Sequence, residues 1–454
     1  MAPFIVSSFG LFVMDLFHGL FTAPSWQTFT CLACGWALAD ERHTITTYLW
    51  LTGATTVKHF SRFYVFLGVA LYQARWQLWA RIIRCAAQGV PNEDPLVIEV
   101  DDSTKKKAGT HIEGVARYRN GAGSARQEYR TLRGLNFVWG IMRVPLPLWP
   151  THSLSVPVGL SLYLKEEHAR KLKKPYRSRS ALAREIVDFV AAHLPTRQIR
   201  VLGDGGYATK DYLHQLPATV DVVSRMLITG KLYALPPKPA GRRRGCPPKK
   251  GPLLGSPKTL ARKRHDWQPH PREAGALVQA WDGLWHAVLP GRLVRVVVVR
   301  RPASARPRKP GHHKPPPPLE AFFTTDLSLS LEAIREQYRD RWAVEITIRD
   351  GNAFAGFGQD HCRKVERVVG ANTLRLVLPA ARTLWFVEHT ERATSIELCR
   401  YRPWYRQKLA PSQLDIVWTC REALHATGVF PIPRFTPGLA RNPQESENAL
   451  PLAA

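Results

Sequence analysis

Apolar residues recur every three or four positions through the first part of the chain, which is the period of a helix packed on one or more sides. Polar breaks such as 40–43 divide this region, so we expect several helices over residues 1–90. The predicted helices are Trp26–Ala39, Ile45–Leu51 and Phe60–Cys85. Asp15 and His18 interrupt the apolar start at Met1–Phe21, which also lacks a basic beginning, so a buried helix is favoured over a signal peptide or membrane span.

The pattern changes after the Pro-rich boundary at 91–95, where short apolar runs are bounded by turn residues. These runs predict strands, and two segments between them have helical spacing. Strands first, followed by alternating helices and strands, predict an α/β fold with a mixed sheet flanked by helices. The predicted strands are Leu96–Val100, Gly109–Tyr118, Leu135–Val144, Val156–Leu164, Gln198–Leu202 and Thr219–Ser224, and the helices are Ser178–His193 and Thr209–Gln215.

Residues 231–320 differ from the flanking sequence in charge and proline content. They hold 20 Lys and Arg against 4 Asp and Glu, which supplies +16 of the net charge. Only Trp281–His286 and Leu293–Val299 have strand-like patterns, so we expect a small β element on two basic, flexible arms. The arginines Arg242, Arg243 and Arg244 favour either a minor-groove contact or, more simply, a phosphate-binding arm.

The remaining sequence returns to core-like patterns. Leu319–Asp326 predicts a strand, the segment from Tyr338 to Gly351 a helix, and Thr373–Val387 a second helix. After Pro437 the chain is polar and rich in small residues, which is typical of a disordered tail.

Net charge decides which class of partner the chain has. At 454 residues, +28 and a pI of about 10.2, the protein needs a polyanionic partner, and the absence of a membrane-length apolar window favours nucleic acid over an anionic membrane. The seven cysteines form no disulfide framework. Cys31 and Cys34 have the spacing of zinc ligands but lie in an apolar run, so we expect them in the core and place the protein in a reducing cytoplasm.

Carboxylates follow two of the predicted strands. Asp101 and Asp102 end one strand just before Lys105 and Lys106, and Asp204 ends another before Gly-Gly. Such residues are often turn or cap residues, but carboxylates at strand ends are also rigidly held and can share one cleft.

A third carboxylate lies on the predicted helix after Tyr338. Helical spacing aligns Tyr338, Arg341, Glu345 and Arg349 on one face, with a guanidinium one turn from Glu345 on each side. This face could be a simple ion-pair ladder. Together with Asp101 and Asp204, Glu345 would instead complete an oxygen-ligand site for Mg²⁺.

These motifs, in this order, resemble transposases of bacterial insertion sequences, which carry a DDE triad on an RNase H-like fold. The resemblance covers residues 20–385, and 338–345 is similar to the family's Tyr–Arg–Glu–Lys signature. It implies that Asp101, Asp204 and Glu345 are the catalytic metal ligands, with Asp102 as an alternative first Asp. Tyr338, Arg341 and Arg349, the lysines 105 and 106 and the arginines 242–244 would contact DNA. Asn352 stands where the signature has Lys.

The resemblance also implies a domain order and an activity. The order is a helical DNA-binding domain at 1–90, a catalytic core at 91–230 and 319–400, a basic insertion at 231–318 and a C-terminal segment at 401–454. The activity is Mg²⁺-dependent cleavage of double-stranded DNA at terminal inverted repeats and strand transfer into target DNA. Two Mg²⁺ ions are expected, and Mn²⁺ could substitute for them. The protein is expected to act as a homodimer on paired DNA ends. Its expected location is the cytoplasm, in association with the nucleoid. The alternatives are an inactive or domesticated transposase that only binds DNA, and another RNase H-like nuclease.

In a hairpin intermediate, Trp281 or Trp285 would either stack on a flipped base or simply pack in the insertion.

Overall fold

The computed structural model describes most of the chain. The described residues are 2–40, 42–119, 130–237, 246–263, 267–270, 273–301, 319–392 and 410–427. The arginines 242–244 and the tail after Pro437 lie outside these ranges, so their predicted roles stay predictions.

Twelve strands in the described residues form a single mixed sheet. The strands are β1 Leu96–Lys106, β2 Ala116–Arg119, β3 Thr131–Leu146, β4 Trp149–Tyr163, β5 Ile199–Gly203, β6 Val220–Met226, β7 Leu232–Tyr233, β8 Leu253–Gly255, β9 Gln268–Pro269, β10 Leu277–Leu284, β11 Leu293–Arg300 and β12 Leu319–Thr324. Strand β1 pairs antiparallel with β3 and parallel with β5, while β4 is antiparallel to β3 and β6 parallel to β5. The order β4-β3-β1-β5-β6, with helices on the sheet, confirms the predicted RNase H-like α/β fold.

Fourteen α-helices are present in the described part of the chain. They are α1 Ala2–Val6, α2 Ser8–Leu16, α3 Ala23–Leu38, α4 Ile45–Leu51, α5 Phe60–Phe66, α6 Tyr72–Gln88, α7 Glu166–Lys171, α8 Arg179–His193, α9 Lys210–Leu213, α10 Pro257–Lys263, α11 Leu331–Asp340, α12 Trp342–Phe354, α13 Val365–Arg392 and α14 Gln413–His425. A π-helical turn, Leu67–Leu71, joins α5 to α6. The predicted helical character of the first 90 residues is therefore confirmed.

Several strand boundaries differ from the predicted ones. The first strand continues past Val100 to Lys106, because the apolar strand β3 provides backbone partners for this polar half, from Ser103 opposite Phe137 to Lys106 opposite Gly134. The strand expected at Gly109–Tyr118 is confined to β2. The residues before it form a loop, in which Gly114 has a φ of 81°.

The basic insertion is more ordered than the sequence predicts. Strands β10 and β11 pair with each other, and β12 lies between β11 and β6, so the insertion extends the central sheet instead of standing apart from it. The segment before β10 also contains α10 and three short strands, where the sequence predicts only a flexible arm.

Both insertion tryptophans belong to the core. Trp281 is 7% exposed, and Trp285 is 3% exposed and packs edge-on against Phe323. Because these rings are covered by the protein, the packing interpretation is the correct one and the proposed stacking on a flipped base is wrong for this arrangement.

Helices cover both faces of the sheet. On one face α8 comes close to β3 and β4, because Gly140 and Gly159 leave room for Ile186, whose atoms would lie 2.5 and 2.7 Å from a Cβ at those positions. On the other face, Trp139 of β3 packs near Gly351 of α12. Helix α11 packs over β6 and β12, where Ile334 joins a cluster with Leu202, Val223 and Phe322.

The amino-terminal helices share one hydrophobic core with the sheet. Leu67 and Trp79 are buried in the same cluster as Trp139 and Phe386. The buried Arg375 of α13 donates two hydrogen bonds to the carbonyl of His43, at 3.1 and 2.6 Å, which ties the amino-terminal region to α13. None of the described helices is long and apolar enough to cross a bilayer.

Cys31 and Cys34 lie in this core as predicted. Both are buried and unpaired, and burial raises the pKa of the Cys34 thiol to about 11. Since metal ligation needs the thiolate, this environment suits a packing role.

Candidate active site

The strands that carry Asp101 and lead to Asp204 are neighbours in the sheet, and the two residues lie at the same level along them. In the parallel β1–β5 pair, Val100 lies opposite Gly203, which is the last residue of β5. Asp101 and Asp204 each follow directly, so they lie side by side where β5 ends and β1 continues. This is the strand-end juxtaposition that the sequence predicts.

Asp101 and Asp102 contact different groups, because successive side chains of a strand point to opposite faces. Asp101 Oδ2 accepts a hydrogen bond from Arg341 Nη1 at 3.2 Å. Asp102 Oδ2 accepts from Asn136 Nδ2 at 2.8 Å and lies 3.4 Å from Arg179 Nε. Asp101 therefore shares its side of the strand with the Arg341 region, whereas Asp102 belongs to a polar cluster on the other side.

Asp204 caps a short 3-10 helix, Gly205–Tyr207, and also contacts α11. Its Oδ1 accepts from the backbone N–H of Gly205 at 2.7 Å and from the Tyr338 hydroxyl at 3.3 Å. The Tyr338 ring packs against Phe322, with centroids 4.8 Å apart. Burial and the Asp204 carboxylate raise the pKa of Tyr338, so its hydroxyl remains a hydrogen-bond donor.

The predicted single helix is interrupted at Arg341, between α11 and α12. The N–H of Val344 donates to Glu99 Oε2 at 2.8 Å, and the carbonyl of Asp340 accepts from Arg143 Nη2 at 2.5 Å. An uninterrupted helix would join these two backbone groups to each other. Side chains from the sheet therefore replace one bond of the helix ladder, which explains the break.

Glu99 and Arg143 form an ion pair behind this break, in which the Arg143 side chain is 21% exposed. Glu99 is fully buried, and its Oε1 accepts from Arg143 Nε at 2.7 Å. Burial raises the pKa of Glu99 to about 7, against the opposing effect of Arg143. Sequence reasoning missed this pair. The available signal was a carboxylate inside the apolar run 96–100, since a buried charge requires a partner.

Arg341, held at the break, joins two of the three carboxylates. Its Nη1 donates to Asp101 and its Nη2 to Glu345 Oε1 at 3.1 Å. Burial opposes the charge of Arg341, but the carboxylates of Asp101 and Asp204 keep its pKa above the usual value. The structure thus gathers Asp101, Asp204, Glu345, Tyr338 and Arg341 into one site.

The other predicted contact residues lie outside this group. Arg349 lies one turn beyond Glu345 on α12, as the helical spacing predicts, but its side chain is 71% exposed and pairs with the adjacent Asp350 at 2.9 Å. Lys105 packs over the Phe357 ring at 5.3 Å, and burial lowers its pKa to about 8. Lys106 is exposed, and so is Asn352 on α12.

Negative charge accumulates around Asp101. Burial raises its pKa to about 6, and the neighbouring Asp102 and Asp204 carboxylates act in the same direction, opposed by Arg341 and by the N–H of Asp102. A group of carboxylates that raise one another's pKa is stabilised by a cation. In this structure the cation is the Arg341 guanidinium.

The donor set is chemically suited to a hard divalent ion. Asp101, Asp204 and Glu345 offer only carboxylate oxygens, which Mg²⁺ and Mn²⁺ prefer. As they stand, no three Asp, Glu, His or Cys side chains in the described ranges are close enough together to hold a metal ion. The three carboxylates are instead connected through Arg341 and Tyr338.

Comparison with known proteins agrees with this architecture. No curated protein matches the chain. Residues 15–284 match the family described as DDE superfamily endonuclease, a range that contains Asp101 and Asp204 and ends before Glu345. Nucleases of this superfamily act on DNA and generally use divalent metal ions. Because the match covers more than half of the sequence, the chain belongs to the DDE superfamily endonucleases.

Proposed function

We propose that this protein is a transposase that cuts DNA at transposon ends and joins the freed 3′-hydroxyl to target DNA. The observation that carries the proposal is the convergence of Asp101, Asp204 and Glu345 on one Arg341–Tyr338 pair at the end of β5. These carboxylates come from separate parts of the chain. Family membership supports DNA as the substrate.

Asp101, Asp204 and Glu345 are the residues that would hold the metal, with Asp101 favoured over Asp102 as the first ligand. Two bound Mg²⁺ ions, or Mn²⁺ in their place, would activate a water and stabilise the leaving oxygen of a phosphodiester. The protein's own contribution is positioning. Asp101 lies within β1, Asp204 directly follows the adjacent strand β5, and Glu345 lies in the first turn of α12.

Arg341 and Tyr338 would contact the phosphate that is cut. The Arg341 side chain is only 13% exposed and already lies between two carboxylates. When metal ions neutralise those carboxylates, its guanidinium donors can turn to phosphate oxygens. Arg349 and Lys106, which are exposed, would bind the DNA backbone farther from the reacting group.

The direct test uses a supercoiled plasmid that carries the gene with its natural flanking DNA. We expect nicking at the flanks with Mg²⁺ or Mn²⁺, none with EDTA, and joined products when target DNA is added. Joined products distinguish a transposase from an RNase H-like nuclease of another kind, which would yield cut DNA only. Absence of any cutting with either ion would contradict the proposal.

A second candidate function is DNA binding without cleavage, and Asn352 favours it. Residue 352 occupies the place of the signature Lys, is exposed, and cannot supply a positive charge. Footprints on the flanking repeats without cleavage by any divalent ion would support this alternative. Under the leading proposal, Asn352→Lys speeds cleavage only modestly, because the carboxylates carry the chemistry.

The proposal extends to assembly and place of action. We infer a homodimer that pairs two transposon ends on chromosomal DNA in the cytoplasm. Light scattering of the protein with one and two end fragments would test this stoichiometry, and a strict monomer on paired ends would contradict it.

A further inference from the structure

A second basic feature lies beyond the carboxylate site, at the far end of β1. A cleft of about 780 Å³ is formed by the end of β1, the loop that follows it, the loop between α12 and α13, and the residues just before α4. Gly358 has a φ of 78°, and a Cβ there would lie 3.0 Å from the Lys105 side chain, so the α12–α13 loop packs closely on β1.

The cleft carries an excess of uncompensated positive charge. Arg42, Lys106 and Arg363 line it and are exposed, and none of them pairs with a carboxylate in the described part of the chain. Two exposed histidines, His111 and His361, also line the cleft. The acid in the lining is Asp360, which is buried, with its Oδ2 3.4 Å from Lys107. Its charge is therefore already matched by Lys107.

This arrangement differs from the usual basic surface of the protein. Many exposed cations elsewhere are paired, as Arg170 is with Glu166 and Lys364 with Glu113. Like charges that converge on a concave surface without partners repel each other, and a polyanion relieves this repulsion. Charge complementarity thus points to phosphate groups as the ligand.

The position of the cleft identifies the source of those phosphates. Lys106 is five residues beyond Asp101 on the same strand, about 16 Å at 3.3 Å per residue. Successive base pairs of duplex DNA are separated by about 3.4 Å along the axis, so for a duplex whose axis runs along β1 this distance corresponds to about five base pairs. A duplex whose phosphodiester reaches Asp101 is long enough to pass over the cleft.

We propose that the cleft between β1 and the α12–α13 loop binds the backbone of duplex DNA about five base pairs from the phosphate at the carboxylate site. Lys106 and Arg363 make the principal phosphate contacts, and Arg42 lies on the same cleft. The inference rests on the proposed function for the position of the cut, but binding at the cleft can be measured without any cutting.

The test measures the salt dependence of DNA binding. A fluorescein-labelled 30-base-pair duplex of mixed sequence is titrated with protein in EDTA at several salt concentrations. Lys106→Gln with Arg363→Gln removes two charges from the cleft. Each lost phosphate contact lowers the slope of log affinity against log salt by about one, so we expect a decrease of about two.

The matched control removes the same charge from another surface. Arg170 and Lys171 are exposed on α7, and Arg170→Gln with Lys171→Gln should leave the slope at the wild-type value. An unchanged slope in the cleft variant, or an equal decrease in the α7 control, overturns the proposal. Thermal melts confirm that both variants fold. Since no divalent ion is present, failure of this test is distinct from failure of wild-type protein to cut DNA.

Discussion

Two acid–arginine pairs lie two residues apart on β1 and have opposite characters. Glu99 is fully buried and pairs with Arg143, and both of its oxygens are occupied, by that guanidinium and by the N–H of Val344. Asp101 pairs with Arg341 at the end of β5, where its side chain is 23% exposed and other carboxylates crowd it. The first pair has fixed partners, whereas the second can exchange its arginine for another cation.

Under the proposed function, this difference separates a residue that holds the site together from one that would bind the metal in it. Glu99 and Arg143 bond to the two backbone groups that flank the break at Arg341, and the break directs Arg341 towards Asp101 and Glu345. The Glu99–Arg143 pair, which we call the inner pair, therefore positions the Asp101–Arg341 pair, which we call the outer pair. The same ion-pair chemistry supports structure where both carboxylate oxygens have fixed partners, and we expect it to support cleavage where further carboxylates crowd the pair.

The largest effect should come from breaking the inner pair. Glu99→Ala removes the carboxylate that accepts from Arg143 and from the N–H of Val344, and the loss of these two charge-assisted hydrogen bonds costs about 3 kcal/mol of unfolding free energy. Urea denaturation measures the loss. Glu166→Ala, which breaks the exposed pair with Arg170, is the control and should change stability by less than about 1 kcal/mol. Equal effects of the two variants would mean that the inner pair does not support the fold.

The outer pair should affect cleavage rather than stability. Asp101→Asn should slow single-turnover cleavage by at least about 100-fold, or about 2.7 kcal/mol, with little change in unfolding free energy. Asp102→Asn is the matched control, because its carboxylate contacts Asn136 and Arg179 on the other side of the strand. If Asp102→Asn were the slower of the two enzymes, Asp102 would be the first ligand.

A smaller effect is expected at Tyr338. Tyr338→Phe keeps the ring on Phe322 but removes the hydroxyl that donates to Asp204, a loss of about 1 kcal/mol, or about fivefold in cleavage rate. Single-turnover rates at saturating DNA measure it. A loss as large as that of Asp101→Asn would show that the hydroxyl takes part in the chemistry itself.

The smallest effect on the chemical step should be at Arg349. Because this side chain pairs with Asp350 and is largely exposed, Arg349→Ala should leave the cleavage rate at saturating DNA within about twofold of wild type. DNA affinity, measured by fluorescence anisotropy, should fall only a few-fold. A collapse of the saturated rate would place Arg349 at the reacting phosphate.

The sequence predicted those parts of the structure that depend on local patterns. Helical spacing identified α4 and most of α6, and apolar runs bounded by turn residues identified β5 and β6. Asp101 and Asp204 could be placed together because the residues following adjacent parallel strands meet at one edge of a sheet. These inferences need only the period of an element and the residue at its end.

The remaining features depend on contacts between distant residues. The break at Arg341 is caused by Glu99 and Arg143, which are about 200 residues or more away in the chain. The polar half of β1 is a strand because β3 pairs with it, although its own residues favour a turn. The integration of the insertion into the sheet likewise follows from the pairing of β12 with β6.

The central claim is that the carboxylates gathered around Arg341 perform the cleavage, and Glu345→Gln tests it most directly. The variant should fold with wild-type stability, bind DNA as tightly in EDTA, and cut at least about 100-fold more slowly with Mg²⁺ or Mn²⁺. Glu332→Gln, an exposed glutamate on α11, is the matched control and should cut at the wild-type rate. Cleavage by Glu345→Gln as fast as that of the wild type would contradict the account.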